Sequence, residues 1–125
     1  NHLENNIKLF GYLFDGPEKY KIFSQSKVVL HPAFYDSGGM AAAEAMAFGI
    51  PIVGFNLKAY QSYYPKGMVK AHVGNIQDFA KQVLTLLNNL TLRNKIGKEG
   101  SEALGSNWSW DAKTKFLIEN INRLM

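Results

Sequence analysis

Short apolar runs alternate with amphipathic stretches along this chain, and the pattern predicts strands that alternate with helices. Residues 7–13 (IKLFGYL) alternate in polarity and are rich in β-forming side chains, so we predict a first strand there. Residues 27–30 and 51–54 are short and mainly apolar, which is typical of strands covered on both faces. A weaker fourth strand is predicted at residues 68–73.

Capping residues and the helical spacing of apolar side chains predict helices around these strands. One begins at Pro17 and runs to about Ser24, with Tyr20 and Phe23 buried. A helix of small residues covers residues 40–48 and ends at Gly49. Residues 56–66 are expected to be irregular, with a helical turn at 61–64. The later helices are predicted after Asn75, from residue 90 or 91 to about 104, and from 110 to about 124 after Ser109.

This order of elements predicts an α/β fold, a doubly wound (Rossmann-like) parallel sheet of about four strands with flanking helices. Ligands of such sheets bind at the carboxyl ends of the strands. Leu13, His31 and Gly54 are expected to lie at those ends.

Composition limits the class of protein without deciding it. A chain of 125 residues with 46% apolar content is expected to form one domain. It has no cysteine, which excludes disulfides and thiolate metal sites. No apolar run approaches the roughly 18–20 residues of a membrane span, and no signal peptide is evident, so we expect a cytoplasmic protein. The net charge of +4 comes from dispersed lysines and arginines, which favours a solvated surface over attraction to nucleotide phosphates or an anionic membrane. No basic arm predicts nucleic-acid binding.

The richest chemistry lies between the second and third predicted strands, where a Gly38-Gly39 turn precedes the small-residue helix. Glycines let a bulky anion approach the backbone, and the N–H groups of Gly39, Met40 and Ala41 would begin the helix without acceptors. The positive end of the helix dipole favours a pyrophosphate there. A tight turn that binds no ligand is the alternative.

Two carboxylates flank this turn. Glu44 lies about one turn into the helix and could accept two hydrogen bonds from a ribose diol, or it could be an exposed or capping side chain. Asp36 precedes the two glycines, in a loop at the end of a strand. From the residues alone, it could cap the helix, in competition with Ser37. His31 could donate to a phosphate or sugar, although a structural role is favoured. No cluster of His or Asp has metal-ligand spacing, so we predict no metal and no cofactor.

Residues 36–53 read DSGGMAAAEAMAFGIPIV, which resembles the acidic-x7-acidic signature of the retaining, two-domain (GT-B) glycosyltransferases of family 4. The His-Pro-Ala-Phe lead-in at residues 31–34 is most similar to the lipopolysaccharide-core glucosyltransferases. The resemblance extends to residues 7–13 and 75–110. There are two departures, because Asp36 replaces the usual Glu and Gly38 replaces the usual Phe.

The resemblance implies a UDP- or GDP-hexose donor and transfer with retention of configuration. It implies that Glu44 holds the ribose and that Asp36 is the catalytic residue, a carboxylate that contacts the donor sugar near the anomeric carbon and would stabilise an oxocarbenium-like transition state. The other substrate-binding residues that we predict are Leu13, whose backbone would face the base, and His31, Ser37, Gly38, Gly39 and Met40.

The resemblance also implies that residues 1–125 are part of a longer enzyme, the C-terminal half that binds the nucleotide sugar. The start at residues 1–4 (NHLE) is interpreted as the end of a helix. An N-terminal domain would bind a glycan or lipid-linked acceptor at the inner face of the membrane. It would supply a catalytic histidine, and a diphosphate-binding Arg/Lys pair would precede Asn1. The first two strands of the sheet would also precede Asn1, and without them residues 7–13 are expected to pair beside 27–30 or to associate with another chain. A non-catalytic α/β module that binds phosphate or a partner protein is the competing hypothesis.

Overall fold

A computed structural model describes residues 3–124, without the side chains of Asn107 and Ala112. A single 3-10 turn at Glu4–Asn6 precedes the regular elements. Asn1 and His2, predicted to belong to the end of a helix, lie outside the described residues. The helices are α1 (Pro17–Gln25), α2 (Met40–Ala47), α3 (Lys58–Tyr63), α4 (Ile76–Asn88), α5 (Leu90–Asn107) and α6 (Trp110–Leu124), and the strands are β1 (Val29–His31), β2 (Ile52–Phe55) and β3 (Met68–Ala71).

The sheet is parallel and has three strands in the order β1-β2-β3. In its register Val29 lies opposite Ile52, which lies opposite Met68. All four residues of the central strand are buried. The α/β class and the parallel sheet are therefore confirmed. They agree with the mainly apolar character of the strands, because such strands need helices on their faces.

The strand predicted at residues 7–13 is wrong. This segment has no regular secondary structure, and its side chains are largely exposed, with Leu9 at 89% and Tyr12 at 83%. Gly11 has a φ of 67°, which interrupts any extended conformation. Polar–apolar alternation makes a strand only where a neighbour accepts its backbone hydrogen bonds. Residues 7–13 therefore do not pair beside β1, and Leu13 does not lie at the end of a strand as predicted.

The helix predictions hold with shifted ends and two corrections. Tyr20 is not buried, because it is 45% exposed, although its ring lies against Phe48 with centroids 5.7 Å apart. The region expected to be irregular contains α3, which begins earlier than the predicted turn. Asn75 caps α4 as expected, since its side chain accepts a hydrogen bond from the Asp78 amide.

The core lies where α2 packs between the sheet and α5. Ala42 and Ala45 are fully buried on α2, beside Met46. Gly97 on α5 lies so close to Gly49 that an added Cβ would be 1.9 Å from the Gly49 carbonyl oxygen. Small residues on both elements therefore allow α5 to hold α2, and with it the turn that precedes α2, in a fixed place.

Candidate functional site

The turn between β1 and α2 is built around the Asp36 carboxylate. Its Oδ1 accepts hydrogen bonds from the backbone N–H groups of Gly38 at 2.9 Å and Gly39 at 2.8 Å. Aspartate favours this arrangement because its short side chain can bond to backbone groups two and three residues ahead. The N-terminal cap of α2 is Gly39, so the expectation that Asp36 or Ser37 caps the helix is wrong.

Gly39 is the residue that the turn geometry restricts most. Its φ of 62° lies in the left-handed region, and an added Cβ would lie 3.2 Å from the Tyr64 ring and 3.3 Å from the Tyr60 ring. Because its N–H donates to Asp36, it is not a donor for a ligand, contrary to expectation. The N–H groups of Met40 and Ala41 have no hydrogen-bond acceptor within the described part of the chain. They remain available to an anion.

The second oxygen of Asp36 faces two side chains. Its Oδ2 accepts from the Tyr60 hydroxyl at 2.7 Å and lies 2.8 Å from His31 Nε2. These donors, led by the Gly38 amide, hold the pKa of Asp36 well below its usual range. Burial, followed by the hydrogen bond to Asp36, raises the pKa of Tyr60. The pair therefore consists of a carboxylate and a neutral phenol at physiological pH.

Tyr64 binds the opposite side of the same turn. Its hydroxyl lies 2.6 Å from the Gly38 carbonyl oxygen and 2.9 Å from that of Gly39, a shared hydrogen bond. Its ring stacks on Trp108, with centroids 5.6 Å apart. Burial first, and then the charge of Asp36, raises the pKa of Tyr64 to about 12.

Sequence reasoning missed both tyrosines as parts of the site. Tyr60 and Tyr64 are four residues apart, the spacing that places two side chains on one helical face. That spacing could have indicated that they act together.

Glu44 lies in the second turn of α2 and forms an ion pair. Its Oε2 is 2.8 Å from Lys19 Nζ, which also lies 2.8 Å from Asp15 Oδ1. Hydrogen bonds to Asp15 and then Glu44 raise the pKa of Lys19. The Glu44 side chain is 38% exposed, and that of Lys19 only 21%. Lys19 is thus not the freely solvated cation expected from the sequence, and Glu44 has an accessible carboxylate beside a fixed positive charge.

The predicted residues fall into three groups. The structure brings His31, Asp36, Gly38, Gly39 and Met40 together in one turn, with Ser37 exposed within it. Glu44 lies one helical turn further on, beside Lys19. Leu13 lies in the irregular segment before α1.

Two kinds of feature are absent from the described residues, a metal-binding cluster and a membrane-spanning helix. No group of three or more His, Cys, Asp or Glu side chains there could hold a metal ion. None of the helices there combines the length and apolar character that crossing a membrane requires.

Residues 1–103 match the family described as Glycosyl transferases group 1. The chain belongs to that family. The match includes β1, the glycine turn, α2 and α3, and it extends into α5. The arrangement around Asp36 and Glu44 is therefore part of a glycosyltransferase domain.

One relative of this group 1 domain is a poly(ribitol-phosphate) alpha-N-acetylglucosaminyltransferase of Staphylococcus aureus (strain COL). The two sequences are 28% identical over an alignment of 116 residues, which covers 89% of this chain and 22% of the relative. The chain thus spans about a fifth of the length of that relative.

The left-handed turn of this glycosyltransferase domain gives a matched pair of substitutions. Gly39→Ala is expected to lower the free energy of unfolding by about 1–2 kcal/mol, because an L-residue is strained at positive φ. The two tyrosine rings must also move. Gly38→Ala is the control, since nothing lies within 4 Å of its added Cβ and its φ is not positive.

Urea denaturation followed by circular dichroism measures both variants. Equal stability of Gly39→Ala and Gly38→Ala would contradict the turn geometry.

Proposed function

We propose that this chain is the part of a retaining glycosyltransferase that binds a UDP- or GDP-hexose. The observation that supports this most directly is the prearranged start of α2. The Asp36 carboxylate holds the glycine turn, while the Met40 and Ala41 N–H groups have no acceptor in the described residues. A diphosphate bonded to those N–H groups would also lie at the positive end of the helix dipole.

Glu44 is proposed to hold the ribose. It projects from the same helix as the phosphate donors, and its carboxylate is accessible. A vicinal diol offers two hydroxyl donors, which suit the two oxygens of a carboxylate. Lys19 would orient that carboxylate through one acceptor position of Oε2, while Oε1 and the other acceptor position of Oε2 remain open to the diol.

Asp36 is proposed to lie beside the anomeric carbon, where its negative charge would stabilise an oxocarbenium-like transition state. Its depressed pKa keeps it ionised for that role. His31 and Ser37 would border the sugar, and the backbone at Leu13 would border the base. Glu44 is assigned to the nucleotide, so the paired-carboxylate mechanism of glycosidases is not transferred to this site.

The finer assignment is a family 4 enzyme of polysaccharide biosynthesis, similar to lipopolysaccharide-core glucosyltransferases, acting in the cytoplasm at the inner membrane face. The motif at residues 31–53 supports it. The acceptor, a glycan or lipid-linked molecule, would bind a part of the enzyme outside this chain. The name of the staphylococcal relative makes nucleotide-linked N-acetylglucosamine a second donor to test beside the hexose donors.

Glu44→Ala tests the proposed function. We expect UDP and GDP to bind this variant more weakly by about 1.5–3 kcal/mol, the usual value of hydrogen bonds to a charged group. Folding should change little, because alanine is a strong helix former. NMR titration of the chain with UDP, GDP and inorganic phosphate measures the effect.

Lys19→Met is the control for the ion pair. It removes the cation that faces Glu44 but leaves the carboxylate, so its effect on UDP binding should be smaller. An unchanged UDP affinity in folded Glu44→Ala would remove the ribose assignment. Inorganic phosphate that binds as tightly as UDP would favour a phosphate-binding module instead.

A further inference from the structure

We propose that Tyr60 and Tyr64 are positioning residues for the nucleotide-sugar site, because they fix the direction of the backbone donors that precede and begin α2. This inference rests on the proposed function and extends it to residues outside the sequence motif. Neither tyrosine needs to touch the donor, since both act through Asp36 and the Gly38-Gly39 turn.

The peptide that joins Gly38 to Gly39 is held at both of its polar ends. Its N–H, on Gly39, donates to Asp36 Oδ1 at 2.8 Å. Its carbonyl, on Gly38, accepts from the Tyr64 hydroxyl at 2.6 Å. Because a trans peptide is planar and its N–H and C=O point in opposite directions, these two contacts define its orientation.

The peptide that joins Gly39 to Met40 is oriented in the same way. Its carbonyl, on Gly39, accepts from the Tyr64 hydroxyl at 2.9 Å and from the Ala42 amide at 2.8 Å. The Met40 N–H must therefore point away from the Tyr64 hydroxyl. That N–H is the first donor proposed for the diphosphate.

Tyr60 closes the network on the carboxylate side. Its hydroxyl donates to Asp36 Oδ2, while Oδ1 of the same carboxylate binds the turn. Both tyrosines project from the region of α3 and are almost fully buried, at 0% and 1% exposure. Their rings contact each other, with centroids 5.7 Å apart, and they pack under the position of a Cβ on Gly39. The turn therefore packs against two buried phenol rings that also contact each other.

The tests are Tyr60→Phe and Tyr64→Phe, which keep the rings and remove only the hydroxyls. Each is expected to weaken UDP binding roughly fivefold, as expected for the loss of one hydrogen bond that orients the site. In Tyr60→Phe the Asp36 carboxyl, followed by carbon NMR, should titrate at a higher pH because it has lost a donor. In Tyr64→Phe the Gly39 and Met40 amides should shift and exchange faster with solvent.

Tyr63→Phe is the matched control. Tyr63 belongs to the same helix, but its side chain is 44% exposed and its ring meets Trp108 rather than the turn. It should bind UDP as the unsubstituted chain does and leave the Asp36 titration unchanged. A merely structural effect of losing a phenol hydroxyl would appear in melting temperature without appearing in these site readouts.

The outcomes separate this inference from the proposed function. If the unsubstituted chain binds UDP and both phenylalanine variants bind it equally well, the positioning role is overturned. If the unsubstituted chain binds neither UDP nor GDP, the proposal that this chain binds the donor is contradicted. The NMR measurements then decide whether the tyrosines position the turn. An unchanged Asp36 titration together with unchanged Gly39 and Met40 amides would then overturn the positioning role, whereas the expected shifts would support it.

Discussion

Gly97→Ala is expected to lower the free energy of unfolding by about 3 kcal/mol or to prevent folding, the upper part of the range for overpacked cores. Its new methyl group would lie 1.9 Å from the carbonyl oxygen of Gly49 and 2.9 Å from the carbonyl carbon. Backbone atoms cannot rotate away as a flexible side chain can, so α5 would have to separate from α2. Urea denaturation followed by circular dichroism measures the loss.

Gly105→Ala is the matched control within the same helix. Nothing lies within 4 Å of its added Cβ, so the substitution removes only the flexibility of glycine. It should raise stability by about 0.5–1 kcal/mol, the usual gain of alanine over glycine in a helix. Similar destabilisation by both substitutions would show that helix α5 is not held to α2 by the close approach at Gly97.

The parts of the site that could be predicted from the sequence depend on local signals. Gly38, Gly39 and Gly49 mark where the chain must turn, and the alanines between them favour a helix, so the frame of the site was predicted correctly. The motif at residues 36–53 also predicted a glycosyltransferase, and the match to the group 1 family confirms that broader class.

The parts that could not be predicted join residues that are distant in the chain. Tyr60 contacts Asp36, and Lys19 contacts Glu44, although the partners lie in different parts of the fold. No periodicity or spacing in the sequence predicts such contacts. The strand predicted at residues 7–13 failed for a related reason. A strand is stabilised by its neighbour, and this neighbour cannot be deduced from the alternation of the segment itself.

The structure gives a physical reason for one departure from the family motif. Asp36 replaces a longer glutamate, and its short side chain is suited to accept from the N–H groups two and three residues ahead. At Gly38, which replaces the usual Phe, an added Cβ would meet nothing within 4 Å. The space beside Gly38 is therefore open among the described residues.

Asp36→Ala is expected to lower the free energy of unfolding by about 3 kcal/mol at neutral pH. The substitution leaves the Tyr60 hydroxyl and the Gly38 and Gly39 N–H groups without their acceptor, and each unsatisfied buried donor costs about 1–3 kcal/mol. Part of that cost is recovered where water reaches the turn. Urea denaturation at pH 7 measures it, and Asp15→Ala is the control. The Asp15 side chain is 74% exposed, so that substitution should change stability by no more than about 0.5 kcal/mol.

The same substitution predicts a change in the acid sensitivity of the fold. Because the pKa of Asp36 is depressed in the folded state, its contribution to stability is complete above the unfolded-state pKa, about 3.9, and is lost as the pH falls below that value. Asp78, with its pKa lowered to about 2 chiefly by the His72 amide, adds a similar dependence that both proteins share. The stability difference between the unsubstituted chain and Asp36→Ala should therefore narrow steadily as the pH falls below about 4. A stability difference that stays the same down to pH 2 would mean that the charge of Asp36 does not stabilise the turn. It would then contradict the turn geometry proposed for the donor site.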